Sequence, residues 1–485
     1  MKKELLKKEN WVFVILFVFL FFVHLPLMTK PILTADVLLN NTYYQGYSWE
    51  ISLGRFGLYI FGLLKGFISV PSFELFLSFL LIVLITFFIM KLFGIDDKIS
   101  KLFTVLLMTL SPIISATLLF HYCSVPYLAA FLCGVLSVYC FYEGKNKWTR
   151  YCLPILFVVV SLSMYQAYLS LIITTFILFQ IKLLVDHKMN FKKSGMYLLL
   201  CIFGIVLYLI CMKISLFIFH IDMASYSNAN QIGVSTFLNF PKKFIESYQL
   251  FYQMYFTNQI TKNTYFYHTW IHIGIFLSFI LSVGYKLIKS TIPLLHKILV
   301  VILILLIPVF LNCVIFVIAD SKLQLLMSAS YLVFFIFLLS FPHPRFIKLF
   351  ICILFGLLFR NYWIQDQATY MTLEETYSTY YTVIDGAIKS HMNQLDQPFI
   401  VIGEIKNTNH NLTNKNYGYI SDEGLFWTEY NLRKLGFERF CRQAYGLDIK
   451  YGEEKDYLTY QSDFNPDLVY EKDGNIIINL NHYTK

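Results

Sequence analysis

Hydrophobic runs of membrane length recur along the chain, near 11–28, 73–93, 102–121, 124–142, 195–220, 269–288, 295–318, 324–341 and 346–360. A helix needs about 18 or more apolar residues to cross a bilayer core, so each run predicts one span. The stretch 151–185 is too long for a single span, and the polar break Met164-Tyr165-Gln166-Ala167-Tyr168 divides it into two short ones. The expected total is therefore about eleven spans. Between the first two runs lies a polar, aromatic-rich loop, 29–56, which holds Asp36, Glu50 and Arg55 amid Tyr43, Tyr44, Tyr47 and Trp49. The apolar segment 57–70 is interrupted by Gly62, Lys65 and Gly66 and followed by Pro71, a pattern that predicts a surface-lying or re-entrant helix. In 221–268, Phe237, Phe240, Phe244, Tyr248, Phe251, Tyr252 and Tyr255 recur at helical spacing. They predict either an amphipathic interfacial helix or a lid over a substrate.

Past residue 360 charges, Asn and Gly return, and the pattern shortens. A helix over 373–395 would carry Tyr377, Tyr381, Ile384 and Ile388 on one side. Phe399-Ile400-Val401-Ile402-Gly403 reads as a buried strand, and 468–478 as a hairpin turning at Lys472-Asp473-Gly474. The predicted fold is a polytopic α-helical membrane protein, residues 1–360 with outer loops 29–72 and 221–268, followed by a small extracytoplasmic α/β domain, 361–485. That domain has no Gly-rich phosphate loop and no Ser-His-Asp pattern, so it reads as an acceptor-binding or packing appendage.

Composition agrees with the pattern: of 485 residues 57% are hydrophobic and only 14% charged. The formal charge of +9 does not point to nucleic acid, because the basic residues sit in short connectors rather than on one face. Alternate connectors hold Lys91, Lys98 and Lys101; Lys145, Lys147 and Arg150; Lys182, Lys188, Lys192 and Lys193; Lys286 and Lys289; and Arg345 and Lys348. The intervening connectors hold far fewer. This asymmetry predicts a cytoplasmic N-terminus and places the Asp36 loop, the 221–268 loop and the C-terminal domain outside. The N-terminal basic and apolar segment lacks a small-x-small cleavage pattern and reads as an uncleaved first span. The residue usage suggests a bacterial cell membrane. Most of the nine Cys lie inside apolar runs and offer no disulfide framework. No His/Cys spacing indicates a metal site, and no cofactor is expected, although a divalent cation is compatible with the chemistry.

The order of these parts resembles the type II O-antigen glucosyltransferase family, within the C-type class of membrane glycosyltransferases. Three local elements carry the resemblance: Pro31-Ile32-Leu33-Thr34-Ala35-Asp36 with Trp49-Glu50 through Gly54-Arg55, the Tyr165-Gln166 element, and the strand ending at Gly403. The chain departs from the family pattern at Val37, where relatives show a second acid, and near Asp320, where Lys322 stands in for an expected Arg. The resemblance implies transfer of a sugar, glucose by default, from a polyprenyl-phosphate-sugar donor to a cell-surface glycan or its lipid-linked precursor. Membrane lipids, the lipid donor and the glycan acceptor are then the partners, with a donor-lipid synthase and a flippase as candidate protein partners. Asp36 becomes the candidate general base, with a helix cap as its structural alternative. Glu50 is a second acid or an ion-pair partner for Arg55. Arg55 would grip the donor phosphate or snorkel to head groups. Lys322 is a second phosphate candidate, and Tyr165 and Gln166 would bind sugar hydroxyls or join helices. A glycan polymerase, ligase or flippase would share the spans and outer loops but calls for Arg-rich loops or charges within spans. A secondary transporter calls for repeated halves, which the sequence lacks.

Overall fold

The computed structural model describes residues 11–30, 37, 44–224, 239–257, 267–316, 324–341, 345–403, 430–461, 465 and 467–480. The chain divides into two compact units, Met1–Leu25 with Thr42–Trp363, and Pro26–Asn41 with Ile364–Lys485.

The first unit is helical. Among the described residues seven helices are long and apolar enough to cross a membrane: Pro71–Phe93, Lys98–Leu119, His121–Glu143, Tyr168–Val185, Phe191–Phe219, His268–Lys289 and the one that starts at Ile347. Four shorter apolar helices, Trp11–Val23, Trp148–Met164, Leu294–Leu305 and Ala329–Leu338, lie where the pattern predicts the remaining spans. A helix that is apolar all round has no side to give to water and goes to the centre or to lipid. Both solutions occur here. Every residue of Ala329–Leu338 is buried, whereas Phe191–Phe219 buries little more than Tyr197, Cys201, Gly204, Tyr208 and Met212 and leaves Leu199, Phe203 and Phe217 exposed.

Polar residues start these helices where their chemistry dictates. Asp97 caps the Lys98–Leu110 helix by accepting from the Ser100 amide at 3.1 Å, and Ser111 accepts from Ile113 at the start of Pro112–Leu119. The segment 57–70 contains a nine-residue helix, Phe56–Leu64, that buries only Phe56, Gly57, Leu58 and Gly62. At about 13 Å by helical rise it is too short to cross a bilayer.

The aromatic stretch of the 221–268 region forms the helix Phe240–Tyr255, and its rings divide between the protein interior and the outside. Lys243, Ser247, Leu250, Met254 and Tyr255 are buried, with Phe251 against Phe276 and Tyr255 against Tyr331 and Phe335, while Phe240 and Tyr252 are 54% and 57% exposed. The buried polar groups have partners, since Lys243 pairs with Glu246 at 3.1 Å and the Ser247 carbonyl accepts from Asn312 Nδ2 at 3.1 Å. The rings of Phe240, Tyr248 and Tyr252 face outward, the position aromatic side chains favour at a membrane surface. Phe237 lies outside the described residues.

The helix predicted over 373–395 is part of a longer one. Arg345–Ser390 runs as a single 46-residue helix, because no proline interrupts its backbone hydrogen-bond ladder. In the second unit three strands form one sheet in the order β1-β3-β2, with β1 Phe399–Ile402, β2 Val469–Lys472 and β3 Asn475–Asn479. The hairpin turns through Asp473 and Gly474 at φ 50° and 77°, the paired left-handed conformations that an Asp-Gly turn accommodates. β1 runs parallel to β3, with Ile400 opposite Ile477. Both strands are buried throughout, as an all-apolar run requires when both faces of a strand are covered.

Candidate functional site

The site grows from two breaks in helical structure. The first follows the short helix Ser48–Ser52. Gly54 donates its amide to the Ile51 carbonyl at 2.8 Å and Arg55 donates to the Glu50 carbonyl at 2.7 Å, the paired bonds of a Schellman cap. Such a cap needs a left-handed residue, and Gly54 has φ +82°. A side chain there would also collide, since a Cβ would lie 2.7 Å from Met212 Sδ and 2.9 Å from Gln166 Nε2 and the Tyr208 hydroxyl. The glycine of the Gly54-Arg55 pair is thus fixed by both backbone and neighbours.

The second break separates the helices Leu153–Met164 and Tyr168–Val185. Tyr165 is extended at φ −155° and ψ 102°, with no proline or glycine to force it. Irregular backbone inside a membrane protein is stable only where protein groups satisfy it. Gln166 supplies the link, because its Nε2 donates to the Leu53 carbonyl and its Oε1 accepts from Arg55 Nε at 3.2 Å. The Tyr208 hydroxyl donates to the Gly54 carbonyl at 3.1 Å and locks the same turn.

Arg55 therefore sits where the two breaks meet. Its guanidinium carbon lies 5.0 Å from the centre of the Tyr165 ring, which stacks on Tyr127 at 4.6 Å and meets Tyr168 edge-on at 5.1 Å. A cation over an aromatic face is stabilised by the ring quadrupole. Burial opposes the charge, yet Tyr127, Tyr165 and Tyr44 lift the Arg55 pKa above its ordinary value. Among the described residues no carboxylate pairs with Arg55 and its terminal NH2 groups have no acceptor. A forked donor held this way suits an oxyanion.

Glu50 does not pair with Arg55. The left-handed Gly54 turns the chain between them, and Glu50 instead neighbours the phenol of Tyr44. Tyr44 is buried edge-on against Tyr122 at 4.7 Å. Burial, then Cys123, Tyr127 and the Glu50 carboxylate, raise its pKa well above the ordinary tyrosine value, so it stays a neutral hydrogen-bond donor.

A buried ion pair borders the cluster. Lys65 Nζ lies 2.6 Å from Glu74 Oε1, their side chains 15% and 4% exposed, and Lys65 also donates to the Tyr122 carbonyl at 3.1 Å. Its ammonium is 5.9 Å from the Tyr44 ring. In the sequence Lys65 reads as a break in an apolar run, and Glu74, Tyr127 and Tyr208 are not among the expected site residues. Glu74 had a signal: a lone acid in the first turn of a span needs a counter-charge, and Lys65 precedes it by nine residues.

The structure thus brings together Arg55, Tyr165 and Gln166 and sets Glu50 beside Tyr44. Asp36, with the Pro31 to Asp36 motif, and Lys322, with Asp320, lie outside the described residues. Among the described residues no group of three or more His, Cys, Asp or Glu could hold a metal ion.

A family model described as glucosyl transferase GtrII matches residues 25–341. No curated protein and no solved structure matches the chain. The matched span takes in both breaks, with Gly54, Arg55, Tyr165 and Gln166, and all but one of the membrane-length helices. It covers well over half of the sequence, so this chain belongs to the glucosyl transferase GtrII family and is a membrane glycosyltransferase.

Proposed function

We propose that the protein transfers a glucosyl residue from a polyprenyl-phosphate-sugar donor to a cell-surface glycan, or its lipid-linked precursor, on the outer face of a bacterial cell membrane. The observation that carries this reading is Arg55, a cation seated between an aromatic face and an amide, with its forked end open among the described residues. A phosphate is the anion that a lipid-linked sugar donor brings to such a depth, and the apolar helices around it suit an isoprenoid tail.

In the proposed reaction the acceptor hydroxyl oxygen attacks the anomeric carbon, its proton passes to the Asp36 carboxylate, and the anomeric carbon–oxygen bond to the phosphate breaks. Arg55 stabilises the charge that accumulates on the departing polyprenyl phosphate. Tyr165 and Gln166 keep the guanidinium aimed. Glu50 is the reserve acid, and Lys322 a second group for the phosphate. The outward orientation rests on the distribution of basic connectors.

The test is transfer by the purified full-length protein in liposomes. Radiolabelled glucose should pass from polyprenyl-phosphate-glucose to the glycan acceptor and not from a nucleotide-glucose. Efficient use of the nucleotide sugar would overturn the reading.

A further inference from the structure

Away from the Arg55 cluster, the second unit carries an open groove of about 480 Å³. Glu374, Tyr377, Ser378, Tyr381, Thr382 and Asp385 line it from one face of the Arg345–Ser390 helix, and Phe440 of the Tyr430–Tyr445 helix forms the other side.

Helical periodicity sorts these residues into two rows. Tyr377 and Tyr381, four apart, form an aromatic row with centroids 4.3 Å from each other, and Phe440 continues it at 4.6 Å from Tyr381. Glu374, Ser378 and Thr382, again four apart, form a polar row that ends at Asp385. The aromatic wall is fixed, because the Tyr381 hydroxyl donates to the Gly436 carbonyl at 3.2 Å.

The polar row is held in place but not used up. Asp385 accepts from Lys389 Nζ at 2.7 Å and from the Tyr445 hydroxyl, and Glu374 accepts from Lys30 Nζ at 2.6 Å. A carboxylate has about four acceptor sites, so each retains capacity toward the groove. Thr382 donates to the Ser378 carbonyl at 2.8 Å and keeps its oxygen lone pairs.

An aromatic wall beside a row of acceptors is complementary to a pyranose. The sugar offers weakly positive C–H groups on one face and hydroxyl donors around its edge. An acyl chain has no use for the polar row, and with Lys30 and Lys389 pairing the two carboxylates the row offers acceptors without a net charge to select a charged ligand. We propose that this groove is a saccharide-binding site that takes a short neutral segment of the acceptor glycan. The proposal rests on the reading of the chain as a glycan-modifying transferase.

The experiment uses full-length protein in nanodiscs and, as probe, neutral oligosaccharides released from the surface polysaccharide of the cells that make it. Saturation-transfer NMR should show contact to the sugar C–H protons, and Tyr377→Ala should weaken binding about tenfold, the scale of a lost aromatic contact. Ser378 is exposed, so Ser378→Trp obstructs the groove without removing any packing and should abolish the signal even if Tyr377→Ala fails to fold. Absence of binding by the wild-type protein, or wild-type affinity in folded Ser378→Trp, would overturn the site. Donor use is measured separately on the wild-type protein. Groove-dependent binding without lipid-donor cleavage would sink the proposed function and spare the groove, whereas active protein whose oligosaccharide binding ignores Ser378→Trp would do the reverse.

Discussion

The two ends of the Tyr168–Val185 helix are built on opposite principles. Toward its C-terminus, Gln180 donates to the Tyr142 hydroxyl at 3.0 Å and accepts from Ser194 at 2.6 Å, while Lys193 donates to the Tyr142 carbonyl at 3.1 Å. Asp186 there pairs with Lys286 at 2.6 Å and with Lys182 at 3.6 Å. Toward its N-terminus, Gln166 and the Tyr165 ring hold the Arg55 cation, and no carboxylate neutralises it among the described residues. The helix is about 27 Å long, close to the thickness of a bilayer core. One end is a closed network in which amides, hydroxyls and charges answer each other. The other holds a charge in reserve, which costs stability unless a ligand supplies the missing anion. In a membrane helix bundle that difference separates glue from site.

The largest expected effect belongs to the proposed proton acceptor. Asp36→Asn removes the proposed proton acceptor at nearly constant size, so turnover should fall on the order of 100-fold or more while the protein still inserts and binds donor. Near-normal transfer by this variant in liposomes would shift the role to Glu50. Next, Arg55→Lys keeps the charge and loses the fork. The donor KM should rise about tenfold, the scale of one lost charge-assisted hydrogen bond, and an unchanged donor KM would show that the phosphate binds elsewhere.

At the closed end the effect should move from activity to stability. Gln180→Leu leaves the Tyr142 and Ser194 hydroxyls short of a partner, which should lower stability by about 1–3 kcal/mol in detergent melts with transfer per folded molecule unchanged. A selective loss of transfer would break the division between the two ends. The smallest effect is expected at Asp97, an exposed cap whose ion pair with Lys348 spans 2.9 Å. Asp97→Asn should cost less than about 1 kcal/mol and leave donor and acceptor KM in place.

Much of the local architecture was legible because it depends on neighbours in sequence. The polar break at 164–168 ends one helix at Met164 and starts another at Tyr168, and the Asp-Gly turn closes the predicted hairpin. The Gly54-Arg55 pair was visible as a motif, but its reason was not. That reason is a Schellman cap pressed against Gln166 and Tyr208, more than a hundred residues away in the chain. The helix Phe240–Tyr255 was legible as well, but periodicity shows only that a helix has distinct faces, and packing alone sends Phe240 and Tyr252 outward and Tyr255 inward.

The sequence alone determined the membrane class, the positions of the apolar helices, the break at Tyr165 and the strands of the second unit. Hydrophobic length and turn chemistry are properties of short segments. Only the tertiary structure decided that Arg55 meets Gln166 and Tyr165 rather than Glu50, and that Tyr377, Tyr381 and Phe440 share one groove. Those contacts depend on how helices pack and rotate against each other, which no local pattern encodes.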